Sequence, residues 1–211
     1  MFTKKSDITI GKKENPKACG IHVLNVCDAT SKRAKLLGYL IEKVIEERHK
    51  MIASGKSTGK KLHENWMKYH WYVSQLNKRF LKRQYLVHNV TTTVGRSVIT
   101  QRWANTTTYT GVVNYGALGS DSTAAAEAQT TLGTEVYRKA LSSGTYSNNI
   151  AYLENFYNAT EDFGTYEEFA FFIDGAAGAD TGVMLNRFTQ TVVKSNVETL
   201  NVRSTITVSD S

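Results

Sequence analysis

A short stretch at residues 55–58 has the residue types of a phosphate-binding loop. Gly55, Lys56, Ser57 and Thr58 follow one another, as they do at the end of the motif Gly-x-x-x-x-Gly-Lys-Ser/Thr. That motif needs its first glycine at position 50, where this chain has Lys50, and it needs a strand before the loop. The sequence predicts a helix before the loop instead. We therefore interpret the stretch as a basic turn between two helices and exclude nucleotide binding.

Cysteine and histidine side chains could in principle hold zinc. Cys19, His22 and Cys27 would supply three ligands, with His49 or His63 as a fourth. Zinc modules usually pair cysteines at closer spacing than Cys19 and Cys27 show. Free cysteine commonly packs as a small hydrophobic residue. We therefore predict that Cys27 is a core thiol and that the protein binds no metal and no other cofactor.

The histidines of the helical region do not form a protease motif. His63 and His70 lie one heptad apart, and Glu64 does not complete the pattern His-Glu-x-x-His. We interpret them as solvent-exposed or interface residues.

Several carboxylates cluster in the C-terminal half of the chain. A glycosidase needs two such groups facing each other across a cleft at a defined separation, and their spacing in sequence does not establish that. We expect a polar strand face and loop, and predict that the protein is not an enzyme. The carboxylates are Glu161, Asp162, Glu167, Glu168 and Asp174.

Positive charge is concentrated in one segment. Residues 32–83 hold fourteen Lys and Arg against four Glu, whereas residues 84–211 hold seven Lys and Arg against twelve acids. Such a basic segment could hold nucleic-acid phosphates without reading base sequence. It could also meet the acidic half of the next subunit in a head-to-tail ring, which we favour. The candidate contact residues are Lys32, Arg33, Lys35, Lys60, Lys61, Lys78, Arg79, Lys82 and Arg83.

Two amphipathic helices must position these cations. Apolar residues recur at three- and four-residue spacing from Leu36 to Ile52, and from Leu62 to Phe80 they form a heptad-like seam. The pattern predicts an αα-hairpin with helices of about twenty residues, each roughly 30 Å long. We expect it to be inserted between a strand at residues 21–27 and the strands that follow residue 86.

The remainder of the chain has the pattern of strands. Residues 120–141 contain an Ala-rich stretch and an apolar i, i+4 set, which predicts partial helix with Glu135 paired to Arg138. The last strand alternates, which predicts one buried and one exposed face. Other β-prone runs lie at residues 86–93, 97–100, 106–115, 150–158, 167–174 and 200–208.

Together these elements predict an α+β fold, with a C-terminal antiparallel β-sandwich or barrel-like domain and an inserted αα-hairpin near the N-terminus. We divide the chain into an N-terminal arm and strand (residues 1–31), a basic αα-hairpin (residues 32–86) and a β-rich assembly domain (residues 87–211). No run of 18 apolar residues occurs, so we expect no membrane span. The charged N-terminus lacks an apolar region, so we expect no secretory signal.

A series of short motifs recurs in one order along the C-terminal half. Residues 115–119 read YGALG and residues 130–141 read TTLGTEVYRKAL. An acidic-aromatic segment (residues 167–174), the segment GVMLNR (residues 182–187) and an alternating strand follow. Over roughly residues 88–208 this order resembles virion proteins of tailed bacteriophages. The resemblance brings no catalytic residues, and we expect residues 109–141 to be a structural joint.

The resemblance implies a non-enzymatic structural component of a tailed-phage virion, assembled in the host cytoplasm. We expect a tail, baseplate or neck protein that forms a ring through subunit contacts. Expected partners are other copies of the chain in a ring or shell, other virion proteins of the tail, neck or capsid, and DNA through non-specific contacts. The alternatives are a sequence-independent nucleic-acid-binding protein, a capsid decoration protein and, more remotely, a tail-associated cell-wall hydrolase.

Overall fold

A computed structural model describes residues 7–10, 20–55 and 58–208. The helices of this part of the chain are α1 (Lys32–Ala53), α2 (Gly59–Phe80) and α3 (Thr93–Trp103). The strands are β1 (Asp7–Ile10), β2 (Gly20–Asp28), β3 (Leu81–His88), β4 (Val90–Thr91), β5 (Val113–Gly119), β6 (Glu135–Ala140), β7 (Ser143–Ser147), β8 (Ile150–Tyr157), β9 (Gly164–Ile173), β10 (Val183–Lys194) and β11 (Glu198–Thr207). The predicted α+β class is confirmed.

The described strands form two stacked sheets. The first sheet has the order β1-β3-β2-β11-β8-β7, and the second has the order β4-β10-β9-β5-β6. Neighbouring strands are antiparallel except β1, which runs parallel to β3. The consecutive strands β10 and β11 lie in different sheets, so the chain crosses between the layers there. The barrel-like alternative is therefore wrong for the described residues, because the strands do not close into one sheet.

The main hydrophobic core lies between the two sheets. The first sheet contributes Leu24, Val26, Leu153, Tyr157, Leu200 and Val202, and the second contributes Leu118, Phe169, Phe171, Ile173, Leu185 and Phe188. A separate apolar cluster joins the helical hairpin to the outer face of the first sheet, through Cys27 and Phe156. The first sheet is therefore covered on both faces. This explains why most of the first half of β11 is buried, where alternation in the sequence predicted one exposed face.

The predicted αα-hairpin is confirmed as an insertion between β2 and β3, which pair with each other. Ser31 and Thr58 cap the two helices by accepting hydrogen bonds from the Ala34 and Lys61 backbone N–H groups. The Asn65 side chain donates to the Val44 carbonyl at 2.9 Å and ties the helices together. Because the element before Gly55 is helix α1, the stretch also lacks the preceding strand that a phosphate-binding loop requires.

Three local predictions differ from the structure. Residues 81–86, assigned to the hairpin, are the first part of β3. Residues 97–100, predicted as strand, lie in α3, because Thr92 caps that helix and Gly95 lets it approach β10 closely. Residues 120–141 contain no helix, because residues 135–140 pair with β5 instead. Of the predicted N-terminal arm and strand (residues 1–31), β1 and residues 20–31, which include β2, lie within the described residues.

No helix in the described part of the chain has the length and apolar character needed to cross a membrane.

Candidate functional site

The nine predicted contact cations fall into two groups. Because α1 and α2 are antiparallel, the start of α1 lies beside the end of α2, and the start of α2 lies at the tip of the hairpin. A helix of this length spans about 33 Å, so tip and base are far apart. The base group contains Lys32, Arg33, Lys35, Lys78, Arg79, Lys82 and Arg83, and the tip group contains Lys60 and Lys61.

The base group itself divides by what its members contact. Lys82 and Arg83 lie on β3 and form ion pairs with Glu198 at 3.1 and 3.0 Å. They therefore help to hold the β10–β11 turn. Within the described residues, the remaining exposed lysines and arginines of the base form no ion pair; Arg79 bonds only the amide of Gln75. We call Lys32, Arg33, Lys35 and Lys78 the basic patch.

The acidic half of the chain offers little free negative charge to a neighbouring copy. Seven of the eleven described acids after residue 84 form ion pairs inside the chain. They are Asp121, Glu127, Glu135, Glu154, Glu161, Glu168 and Glu198. The sequence favoured association of neighbouring copies through their basic and acidic halves. Because most of these acids are already paired within the chain, few remain to bind the cations of a neighbour.

The hairpin also exposes large apolar side chains on the side that faces away from the sheets. Leu36 and Tyr39 lie on α1, and Met67 and Trp71 lie four residues apart on α2. Each is more than half exposed. On both helices these positions are opposite the buried stripe in the helical repeat. We call these four residues the outer face of the hairpin.

The motifs that carry the phage resemblance meet in a buried charge cluster. Glu168 on β9 and Arg187 on β10 are fully buried and pair at 2.9 Å. The Glu168 carboxylate also accepts hydrogen bonds from the backbone N–H groups of Gly133 and Thr134, at 2.9 and 2.8 Å. Arg187 donates to the Thr123 carbonyl at 2.7 Å. The cluster therefore fastens the loop of residues 120–134 over the outer face of the second sheet.

Two motif glycines are required by this cluster. A Cβ atom at Gly119 would collide with the Glu168 carboxylate, and a Cβ atom at Gly133 would collide with the Asp121 side chain. The glycines of YGALG and TTLGTE therefore allow the backbone to reach the buried carboxylate. The predicted interpretation of residues 109–141 as a structural joint agrees with these contacts, although the joint is held by a loop and a strand and contains no helix.

A polar cleft opens at the base of the hairpin, between α2 and the outer face of the first sheet. Its volume is about 490 Å³, within the range of small-ligand sites. The strand registers align three amide side chains across its floor, because Asn25 is paired with Gln84 on one side and with Asn201 on the other. The helix contributes His70, Val73, Ser74, Asn77 and Lys78 to the wall. One member of the basic patch, Lys78, therefore borders the cleft.

The end of the cleft is formed by a buried carboxylate and its neighbours. Glu154 is 2% exposed, and its Oε1 atom lies 3.3 Å from Nε of Arg203 and 3.4 Å from Nε2 of His70. Burial raises the pKa of Glu154, and the Arg203 guanidinium opposes that shift. Burial also lowers the pKa of His70 to about 4, so this imidazole is neutral at pH 7. Among the described lining residues, Arg203 therefore supplies the fixed positive charge beside Glu154.

The residues weighed as zinc ligands have separate positions. β2 directs His22 into the core between the sheets, where it stacks on Phe188 at 3.7 Å and burial lowers its pKa. Cys27 lies under the helices and donates to the Asn77 side chain at 3.3 Å. Cys19 lies outside the described residues. No group of three or more histidine, cysteine or carboxylate side chains in the described part of the chain is placed to hold a metal ion.

The five predicted carboxylates also have separate partners. Glu161 pairs with Lys139 at 2.6 Å, and Glu42 of α1 approaches the same ammonium at 3.9 Å. Burial raises the pKa of Glu42 to about 7, and Glu161 adds to that shift while Lys139 opposes it. Of the others, Glu168 belongs to the buried cluster, Glu167 accepts from Thr191 at 2.7 Å, Asp174 accepts from the Thr110 backbone at 2.6 Å, and the Asp162 carbonyl accepts from Lys194 at 2.8 Å.

Apart from His70 and Lys78, the cleft residues were missed in the sequence because the lining comes from five elements. Glu154 lies on β8, and Asn201 and Arg203 lie on β11. Neither strand is adjacent to α2 in the sequence, and only the strand register brings these three residues together. The sequence feature that could have indicated the cleft is the presence of polar residues within otherwise apolar strand patterns.

Comparison of the chain with protein-family models, with curated proteins and with solved structures returns no match.

Proposed function

We propose that this protein is a non-enzymatic structural component of a tailed-phage virion, in the tail, baseplate or neck, and that it assembles into a ring through contacts between subunits. One observation carries the proposal. The residues of the phage-like motif order, including Glu168, Arg187 and Gly133, fasten a loop over a sheet instead of lining a cleft. Their shared role is to build a rigid body, which is what an assembly protein needs.

The outer face of the hairpin is the surface that fits a subunit contact. Aromatic residues and methionine are enriched in the cores of protein interfaces, and charged residues are depleted there. Tyr39, Met67 and Trp71 are large, exposed and arranged on neighbouring helices. Such a face would bury its apolar area against the body of the next subunit, which favours association without requiring an acidic partner surface.

A second function, sequence-independent binding of nucleic acid, is favoured by one specific observation. The four cations of the basic patch lie at the start of α1 and near the end of α2, are exposed, and form no ion pair within the described residues. Cations of this kind neutralise phosphates and release counterions, so binding would weaken steeply with salt. In a virion this contact would be made with packaged DNA.

The first test is the oligomeric state of the purified protein, measured by sedimentation velocity and negative-stain electron microscopy over a range of concentrations. We expect discrete ring-shaped particles. The double variant Met67→Ser/Trp71→Ser should shift the protein to monomer. The matched control is Tyr146→Ser, because Tyr146 is 80% exposed but lies on β7 and is not part of the outer face of the hairpin. A protein that stays monomeric at every concentration, or a double variant that assembles normally, contradicts ring formation through the outer face.

The location is tested by gold-labelled antibody imaging of phage particles. Label at the tail or at its junction with the head supports the proposal, and label over the whole head indicates a capsid component. Unlabelled particles from infected cells that contain the protein exclude a virion role. In that case, salt-dependent binding of DNA that is lost in Lys32→Glu/Arg33→Glu but kept in Lys60→Glu/Lys61→Glu identifies the second function.

A further inference from the structure

Arg203 at the end of the cleft is held in a fixed orientation with part of its guanidinium free. Its Nε atom faces the buried Glu154 carboxylate at 3.3 Å, and its central carbon lies 4.8 Å from the centre of the Tyr152 ring. The side chain is 37% exposed. Neither terminal nitrogen bonds an acceptor among the described residues. A guanidinium held on one edge and one face presents its two remaining NH₂ groups as a preformed fork.

The surroundings of this fork favour a negatively charged group. Lys78 lines the same cleft and forms no ion pair within the described residues. His70 is neutral at pH 7. Glu154 is the single acidic side chain of the lining, and it is 2% exposed. The Oε1 atom of Glu154 and the Nε atom of Arg203 are buried without a well-aligned hydrogen bond, so Glu154 orients the guanidinium without occupying its outer donors.

We propose that this cleft binds a carboxylate presented by an acidic peptide segment of a partner chain, with Arg203 as the bidentate donor and Lys78 as the second cation. The inference rests on the proposed role in assembly, because it gives the partner contact a chemistry. Planar guanidinium forks match carboxylates in two parallel charge-assisted hydrogen bonds. The positive charge of the fork does not depend on pH in the physiological range, because arginine stays protonated.

A peptide fits the cleft better than a nucleic-acid backbone. The amide row of Gln84, Asn25 and Asn201 lies across three neighbouring strands. Gln84 donates to Asn25 Oδ1 at 2.8 Å, and Asn201 is bonded to Tyr69 and Glu154, so the Asn25 NH₂ group and the Gln84 carbonyl oxygen remain as one donor and one acceptor. Peptide groups need that mixture, whereas phosphates need donors only. The apolar wall residues Val23, Val73 and Leu81 can contact the methylene groups of a glutamate side chain. The cleft volume of about 490 Å³ suits a few residues of a peptide.

The test uses the full chain and a fluorescent acetylated hexapeptide of alternating glycine and glutamate, with fluorescence anisotropy as the readout. The control peptide carries glutamine in place of glutamate. We expect saturable binding of the acidic peptide and at least tenfold weaker binding of the control. Arg203→Gln should weaken binding of the acidic peptide about tenfold or more, since hydrogen bonds to charged groups are the strong ones. Lys60→Gln, at the hairpin tip, should leave it unchanged.

Arg203→Lys keeps the charge beside Glu154 and removes the fork, so it serves if Arg203→Gln fails to fold. Weakened binding in this variant, with an unchanged melting temperature, assigns the role to the fork. Equal affinity for both peptides, or unchanged binding in Arg203→Lys, overturns the inference. Stronger binding of a single-stranded oligonucleotide, lost on Lys32→Gln/Arg33→Gln but kept on Arg203→Gln, overturns it in favour of nucleic acid.

The outcome can be separated from that of the proposed function. A protein that forms rings but binds neither peptide contradicts only the cleft inference. A protein that binds the acidic peptide through Arg203 but stays monomeric contradicts ring assembly and leaves the cleft as a site for a different partner.

Discussion

The buried Glu168–Arg187 pair gives the sharpest test of how the C-terminal half is held together. In Glu168→Gln the side chain keeps its shape but loses its charge. Both carboxylate oxygens of Glu168 accept hydrogen bonds: Oε2 from Arg187 and the Gly133 N–H, and Oε1 from the Thr134 and Asp121 N–H groups. Whichever way the new amide is turned, its NH₂ group faces donors. The substitution also removes the buried carboxylate partner of Arg187 and leaves it only the Asp121 carboxylate, at 3.4 Å and 29% exposed.

The expected loss follows from these contacts. Removing one partner of a buried ion pair costs about 3–5 kcal/mol, because the remaining buried charge loses most of its compensation. With a urea m-value of about 2 kcal/mol/M, this lowers the unfolding midpoint by roughly 1.5–2.5 M. The assay is urea unfolding followed by tryptophan fluorescence. The matched control is Glu46→Gln, which removes a carboxylate from an exposed pair with Lys43 on α1 and should leave the midpoint unchanged.

A second readout separates the loop from the rest of the molecule. In Glu168→Gln, hydrogen exchange should accelerate at the backbone amides of Gly133 and Thr134, because both donate to the replaced carboxylate. Exchange in the hairpin, for example around Val44, should stay the same. A midpoint shift equivalent to less than about 1 kcal/mol, the value for exposed pairs, would show that the cluster does not hold the loop. Unchanged exchange at both amides would show the same.

Three further predictions concern other parts of the fold. Because burial raises the folded-state pKa of Glu42 from 4.5 to about 7, stability should fall as pH rises through that window. Glu42→Gln should flatten this dependence and stabilise the protein at pH 8 by about 1–2 kcal/mol after allowance for solvent screening. Urea unfolding at pH 5 and pH 8 checks it, and equal slopes for both proteins would contradict it. In a Cys19→Ser background, Cys27 should react with Ellman's reagent only on unfolding, since burial raises its pKa to about 12; rapid reaction in the native state would contradict its burial. Gly95→Ala should cost about 1–3 kcal/mol, because its Cβ would lie 2.7 Å from Cα of Leu185. Gly59→Ala, which has open space around it, should be neutral by thermal melting, and equal melting temperatures for the two variants would refute the close packing.

The elements that sequence reasoning found were those with a local, repeated signal. Helix α2 carries an apolar seam over several turns, and Ser31 and Thr58 supply caps at the starts of both long helices. The elements it missed depend on distant contacts. Residues 97–100 have β-prone side chains, but a capped helix packs there against β10. An Ala-rich stretch predicted helix after residue 120, where the buried Glu168 holds a loop instead.

The cleft could not be predicted from the sequence either, because it also depends on contacts between distant residues. Its amide row exists because Asn25, Gln84 and Asn201 occupy matching positions on three strands. A shift of one residue in either register would turn these side chains to the other face. No local pattern in the sequence fixes that register. Polar residues in buried strands were the visible clue, and they indicate a site only once the neighbouring strand is known.

The distribution of charge differs between the two-sheet body and the base of the hairpin. In the two-sheet body most acids form ion pairs with cations of the same chain. At the hairpin base the balance is different, because the basic patch and the free edge of Arg203 have no acidic partner among the described residues. In a second copy of this chain, seven of the eleven described acids after residue 84 are already paired within the chain. In our proposal the negative charge comes from a different molecule, and the apolar outer face makes the contacts between copies. On this argument the hairpin contacts two kinds of neighbour, and disabling the outer face should leave binding of the acidic peptide intact.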